Sequence, residues 1–150
     1  MNRNETVALL AAYRRTHYHV LLEPQDIVLQ IDRYDAQTDR LLCSAADVRN
    51  VWSIITPCNP RSQPISKTSN LHSLRDFHAE LNEQHLRWIA AVNRDPRGEW
   101  PDEPGVLLCD PPSGAAEALG HKYRQNAIVE GKPGFAPYLV WLQDLSATAR

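Results

Sequence analysis

The clearest periodic stretch of the chain lies between residues 71 and 85. At about 100° per residue, Leu71, Leu74, Phe77, His78, Leu81 and His85 share roughly a third of the circumference, with Asp76, Glu80 and Glu83 opposite. The pattern predicts an amphipathic helix with Asn70 on its inward side in the first turn. Val7, Leu9, Leu10, Ala12 and Tyr13 form a second helical spacing, ending in Arg14 and Arg15, where cations suit the helix dipole. Asp35, with Thr38 three residues on, is expected to cap a short helix through Leu41, Leu42, Ala45 and Ala46. Pro111-Pro112-Ser113 opens a further helix through Ala116, Leu119, Gly120 and Tyr123, with Ser113 as its N-cap.

Between these helices the apolar positions cluster into short runs that predict strands. Residues 18–22 read as extended until Glu23-Pro24 stops them, and 27–31 is a β-branched-rich run. Residues 51–56, 86–92 and 106–109 follow, the last apolar throughout. Residues 126–129 and 138–141 flank Gly131-Lys132-Pro133-Gly134 and predict a terminal hairpin. Residues 93–104 are dense in turn formers and predict a long connection. Residues 145–150 are expected to be a frayed tail.

From residue 52 onward the order is β-α-β-β-α-β. The expected fold class is therefore α+β, with a ferredoxin-like split core preceded by an N-terminal helix and an extra β-α unit and followed by a C-terminal hairpin. In that topology the first two strands of the core run parallel and the last two run against them. The end of strand 51–56, the 93–104 connection and the 123–126 turn then fall at one rim of the sheet. Asn59, Arg61, Asn70, Asp95, Glu103, Gln125 and Asn126 are expected to converge there, with Ser113 at the opposite edge.

Composition narrows the class without naming a function. At 150 residues, 43% hydrophobic and 23% charged, the chain reads as one globular domain over 1–150. A formal charge of -2 supplies no global reason to bind nucleic acid or an anionic membrane. Cys43, Cys58 and Cys109 are an odd number without CxxC spacing, which suits reduced thiols in the cytoplasm. The first residues lack the apolar run of a signal peptide, and nothing approaches about 20 consecutive apolar residues.

The candidate chemistry is spread over the predicted rim. Asn59 offers either an amide that orients a ligand or an Asx turn that satisfies its own backbone. Asn70 either bonds that loop or meets the ligand. Ser66, Lys67, Thr68 and Ser69 open a helix near Arg61 and Arg75, which suits a phosphate or carboxylate as well as plain N-capping. No glycine-rich nucleotide loop is present. Asp95, Asp102 and Glu103 are either an acid/base set or solvated carboxylates, and Trp100 is either a clamp on the core or a binding aromatic. The histidines lack metal-ligand spacing: His72 and His78 point to different sides of the helix, and His78 and His85 are two turns apart. His17 and His19, alternating on a short strand, carry only a weak metal signal. Cys58 has no base assigned to it by the sequence, and Cys109 reads as core. No metal and no cofactor is expected.

The succession Ile54-Ile-Thr-Pro-Cys-Asn-Pro60, then Ser66 and Asn70, then Arg94-Asp-Pro and Trp100-Pro-Asp-Glu-Pro104, then Gln125-Asn-Ala-Ile-Val129 resembles a bacterial family catalogued as domain of unknown function 3293. The resemblance covers roughly 13–140. Where that family often has an aromatic before the Asn, this chain has Cys58, so no stacking role carries over. The resemblance implies domain limits and motifs but no reaction.

These readings point to a module binding a small polar or anionic ligand, or a protein partner, at a rim built from segments 57–70, 93–104 and 123–126. The expected contact residues are Asn59, Arg61, Ser66, Asn70, Trp100, Gln125 and Asn126. The alternative is an enzyme of acid/base or phosphate-ester type on the same rim, with Asp95 and Glu103 exchanging protons. A third reading is a structural domain that pairs with another chain through the Trp100 loop or the last hairpin.

Overall fold

A computed structural model describes residues 1–143 of the chain; the tail expected at 145–150 lies outside the described residues. The elements are α1 (Arg3–Arg15), β1 (His17–Val20), β2 (Ile27–Leu29), α2 (Ala36–Ser44), β3 (Trp52–Ile55), α3 (Lys67–Glu83), β4 (Arg87–Arg94), β5 (Glu103–Cys109), α4 (Ala115–Lys122), β6 (Ala127–Gly131) and β7 (Tyr138–Trp141). The fold is α+β. Its seven strands form one sheet in the order β2-β1-β4-β5-β3-β6-β7, every neighbouring pair antiparallel. Because β3 and β4 both pair antiparallel with β5, they run in the same direction, and β5 and β6 run against them.

Local chemistry sets the helix starts. Asn2 and Glu5 close a capping box on α1, Asp35 accepts from the Thr38 N–H at 2.8 Å to start α2, and Ser66 accepts from the Ser69 N–H to start α3. Ser113 does not cap α4. Gly114 takes the N-cap position at φ 81, a left-handed backbone that glycine adopts freely, and Ser113 stays exposed one residue too early.

The sheet is covered on both faces. One core gathers Tyr18, Val20, Leu29, Leu42, Trp52, Ile54, Leu107 and Val129; the other puts Phe77 and Leu81 of α3 and Ala116 and Leu119 of α4 against Ile55, Val106, Leu108 and Ile128. Phe77 and Leu81 are 0% exposed, and burial of such side chains stabilises by about 1.5–3 kcal/mol each. The inward stripe of α3 is shorter than its spacing suggested. Leu71 is 51% exposed. His85 lies past the helix end at φ 55, where the helical spacing no longer applies, and is exposed. The 93–104 connection is also shorter than expected: β4 continues through Asn93 and Arg94, and Glu103 opens β5, leaving a loop of 95–102.

α1 differs from the other helices. None of its residues is buried, and Val7 is 60% exposed. Its apolar face is turned instead toward a cavity.

Candidate functional site

At the end of β3, just past the Ile55–Val106 pair, the Ile55–Thr56 peptide closes tightly on Gly105 of β5. A Cβ on Gly105 would stand 2.3 Å from the Ile55 carbonyl oxygen, so only glycine admits this approach. Thr56 Oγ1 then donates to the Pro104 carbonyl at 2.8 Å and accepts from the Cys58 N–H, which steers the chain into the turn at Asn59. Asn59 sits in left-handed backbone at φ 47 and is 3% exposed.

Both ends of the Asn59 carboxamide are used. Its Oδ1 accepts from Asn70 Nδ2 at 2.8 Å and from the Ile65 N–H at 3.1 Å, and its Nδ2 donates to Glu103 Oε2 at 2.8 Å. Asn70 Oδ1 in turn accepts from the Asn59 N–H at 2.9 Å. The turn before β6 joins the same end of the sheet. Gln125 Nε2 donates to the Cys58 carbonyl at 3.0 Å, and the Arg61 N–H donates to the Arg124 carbonyl at 2.8 Å. The three polar segments singled out in the sequence thus meet.

Where they meet, a cavity of about 330 Å³ opens between α1 and the sheet. Leu9, Ala12, Tyr13 and Thr16, spaced i, i+3, i+4 and i+7 on α1, form its roof. Ile54, Val129 and Tyr18 contribute apolar floor, and Asn59, Asn93, Trp100, Glu103 and Gln125 contribute polar wall. Sheet register organises the floor. Tyr18 of β1 pairs with Asn93 of β4, and Asn93 pairs with Glu103 of β5, so the three side chains stand in one row across three strands.

Glu103 is the lining carboxyl that this geometry raises. Burial pushes its carboxyl above the usual carboxylate range, and hydrogen bonds from Asn59 and the Trp100 side chain pull only partly against that. Tyr13 is pushed up to about 12, first by burial and further by the nearby Glu103 charge, with a hydrogen bond from Ser62 opposing. Asp95 behaves in the opposite sense. The Arg97 N–H, then those of Glu99 and Trp100 together with Arg15, hold its carboxyl below the ordinary range. Its oxygens are occupied in shaping the loop, which leaves them poorly placed to exchange a proton with a ligand.

The remaining predicted residues are placed unevenly. Asn59, Asp95, Trp100, Glu103 and Gln125 line the cavity. Asn70 stands behind Asn59 and holds it. Asn126, 2% exposed, donates through Nδ2 to Ser62 Oγ at 2.8 Å and does not reach the wall. Ser66 is exposed and spends its hydroxyl on capping α3. Arg61, Lys67 and Arg75 do not line the cavity, so the cationic group expected for an anion is not assembled there. Arg15 is the one basic side chain among the lining residues, 3.9 Å from both Asp95 Oδ1 and Glu99 Oε2.

Sequence reasoning missed the α1 roof, Tyr18 and Asn93. The apolar spacing of α1 was visible, but nothing local says that such a face covers a cavity instead of a core. Asn93 carried a fainter signal, a polar residue directly following an apolar strand run.

No group of three or more His, Cys, Asp or Glu among the described residues is placed to hold a metal ion. His17 and His19 have ring centroids 6.4 Å apart on the outer part of the sheet, and His78 stacks on Trp88 at 4.4 Å. Cys58 is buried, its thiol pushed up by desolvation and donating to the Pro104 carbonyl. No helix among the described residues is long and apolar enough to cross a membrane.

Residues 55–128 match the model of a family described as a protein of unknown function, DUF3293. The match runs from the last residue of β3 to the second residue of β6, hence over the Asn59 turn, α3, Glu103 and Gln125, and not α1. No curated protein and no solved structure matches the chain.

Proposed function

We propose, for a chain whose residues 55–128 belong to the family catalogued as domain of unknown function 3293, that the cavity under α1 binds a small polar molecule. The observation that carries this reading is the concave, partly open space of about 330 Å³, with an apolar floor and a few convergent polar groups. That size and lining suit a small-molecule site better than a protein-docking surface, which would be flat. An anion is the wrong charge for this wall, with Asp95, Glu99 and Glu103 against one arginine. Asn59 and Gln125 act as positioning residues: they fix the turn and the Glu103 carboxylate.

A second reading has Glu103 exchanging a proton with the bound molecule. Its support is the burial that raises this carboxyl inside a cavity, the environment in which a general acid or base is tuned toward neutral pH.

A ferredoxin-like reading of β3 through β6 with α3 and α4 is supported by the strand order β4-β5-β3-β6. A cytoplasmic, single-domain reading is supported by the free thiols of Cys43, Cys58 and Cys109 and by the one continuous sheet.

The test is a thermal-shift screen of amines, amino acids, sugars, nucleosides and sugar phosphates, repeated on Ala12→Trp, which fills the cavity from a helix with no buried residue. A ligand that raises the melting temperature of the wild type and not of the variant supports the site. Stabilisation that survives Ala12→Trp places binding elsewhere. For any ligand found, conversion followed by NMR separates an enzyme from a binding module.

A further inference from the structure

The Glu103 carboxylate is turned into a largely apolar cavity without a counter-charge. Among the described residues no basic side chain forms an ion pair with it; its neighbours are the neutral Asn59 carboxamide and the Trp100 side chain. Next to it in the cross-strand row, Asn93 Oδ1 is a buried acceptor with no hydrogen-bond partner among the described residues. Two acceptors side by side, one of them charged, call for a donor-rich cation. Aromatic surface surrounds them: Tyr18 continues the row, Tyr13 closes it from α1 and Trp100 from the 95–102 loop. Aromatic faces attract a cation through their quadrupole and an apolar body through burial.

We infer that the molecule bound under α1 is a small organic ammonium with an apolar body, its N–H groups donating to Glu103 and Asn93 and its body lying against Tyr13, Tyr18 and Trp100. The inference rests on the cavity being the binding site, and it adds the charge and class of the ligand. Neutral donors satisfy Asn93 but leave the Glu103 charge buried and uncompensated. Carboxylates oppose three carboxylates on the wall.

The test is isothermal titration with three sets matched in body and differing in charge: butylamine, phenethylamine and tryptamine, each beside the alcohol and the carboxylate of the same body. The amines are expected to bind about tenfold or more tighter than their alcohols, and the carboxylates least. Glu103→Gln keeps the shape of the side chain and is expected to abolish the preference of amine over alcohol. Trp100→Leu, in the 95–102 loop, is expected to weaken the amines more than the alcohols. Alcohols or carboxylates that bind as tightly as amines, with binding lost in Ala12→Trp, overturn the cation while leaving the cavity a binding site. Failure of all three amines to bind at millimolar concentration overturns the inference as well. Amines that bind Ala12→Trp as they bind the wild type overturn both the inference and the cavity reading.

Discussion

Asn59 and Asn70 hold each other in a reciprocal pair, the Asn59 N–H donating to Asn70 Oδ1 at 2.9 Å and Asn70 Nδ2 donating to Asn59 Oδ1 at 2.8 Å. The pair ties the turn after β3 to the first turn of α3 and aims the remaining Asn59 N–H group at Glu103. Asn70→Ala leaves a buried N–H without its partner and half-empties the Asn59 oxygen. An unsatisfied buried polar group costs about 1–3 kcal/mol, so the urea midpoint is expected to fall by an amount in that range. Asn59→Ala and Asn70→Ala combined are expected to cost clearly less than their sum, because the two changes remove one shared interaction. Additive losses in that cycle would mean the pair is not coupled.

Glu103 makes the stability depend on pH in the direction opposite to most carboxylates. Below the ordinary value of 4.5 the group is protonated whether the chain is folded or not, and it costs nothing. As pH rises past 4.5, the unfolded chain releases the proton while the folded chain keeps it, so folding loses stability through the window up to the raised folded value. Above that value the full cost is present. Glu103→Gln removes it, so the variant's stability relative to wild type is expected to climb with pH across this window and then level off. Asp95 and Asp35, held low chiefly by the N–H groups of Arg97 and Thr38, lose stability as pH falls, but they do so in both proteins and cancel in the difference. Urea titrations of the two proteins from pH 4 upward measure it; a difference that stays flat with pH contradicts the burial of Glu103.

What could be foreseen of this site follows from which signals are local. Phe77 and Leu81 belong to a helical stripe long enough to survive the loss of Leu71 and His85 at its ends, so α3 was visible. The strand order placed the Asn59 turn, Glu103 and Gln125 at a common end of the sheet. The row Tyr18, Asn93 and Glu103 was not visible, because register between β1, β4 and β5 is a tertiary choice that no short pattern encodes. Arg61 misled for a related reason: its charge suggested an anion site, but φ 57 and its backbone bond to Arg124 give the residue a role in the turn while its side chain lies off the cavity.

Gly105 is expected to tolerate no side chain. Its Cβ would run into the Ile55–Thr56 peptide, with the Ile55 carbonyl oxygen at 2.3 Å and Thr56 Cα at 3.0 Å, and backbone yields less readily than a side chain. Gly105→Ala is expected to destabilise by roughly 1–3 kcal/mol or more, the range for overpacking a core. It should also displace the Asn59 turn, seen as shifts of the Asn59 and Gln125 side-chain amide signals in NMR spectra. By contrast, Gly98→Ala in the exposed loop has open space around the new methyl and meets only the strain of φ 67, so its cost should be smaller and leave those signals in place.

Asp95 is expected to matter to loop order more than to global stability. Its carboxylate accepts from the N–H groups of Arg97, Glu99 and Trp100 at 3.0, 3.0 and 3.1 Å, which closes the 95–102 loop against the end of α1 through Arg15. Asp95→Ala should speed hydrogen exchange of those three amides while leaving the β3 and β5 amides unchanged. Equal acceleration across the sheet would show the loop to be part of the cooperative core.

α1 should open independently of the sheet. No residue of this helix is fully buried, its inward face of Leu9, Ala12, Tyr13 and Thr16 looks into the cavity, and its side-chain ties are few: the T-shaped stack of Tyr13 on Trp141, the Tyr18 hydroxyl donating to the Tyr13 carbonyl, the Ser62 hydrogen bond to Tyr13 and the Arg15 contacts with Asp95 and Glu99. Helices of this length are marginal in water on their own, so the capping box at Asn2 and Glu5 cannot by itself hold α1 in place. Native-state hydrogen exchange is therefore expected to give the α1 amides a lower opening free energy than the Ile54 and Leu107 amides at the centre of the sheet. A ligand that fills the cavity lies against both the roof and the floor, and so should raise protection in α1 more than in β3. If α1 exchanges only with global unfolding, the roof is a fixed wall, and a molecule must enter the cavity by another route.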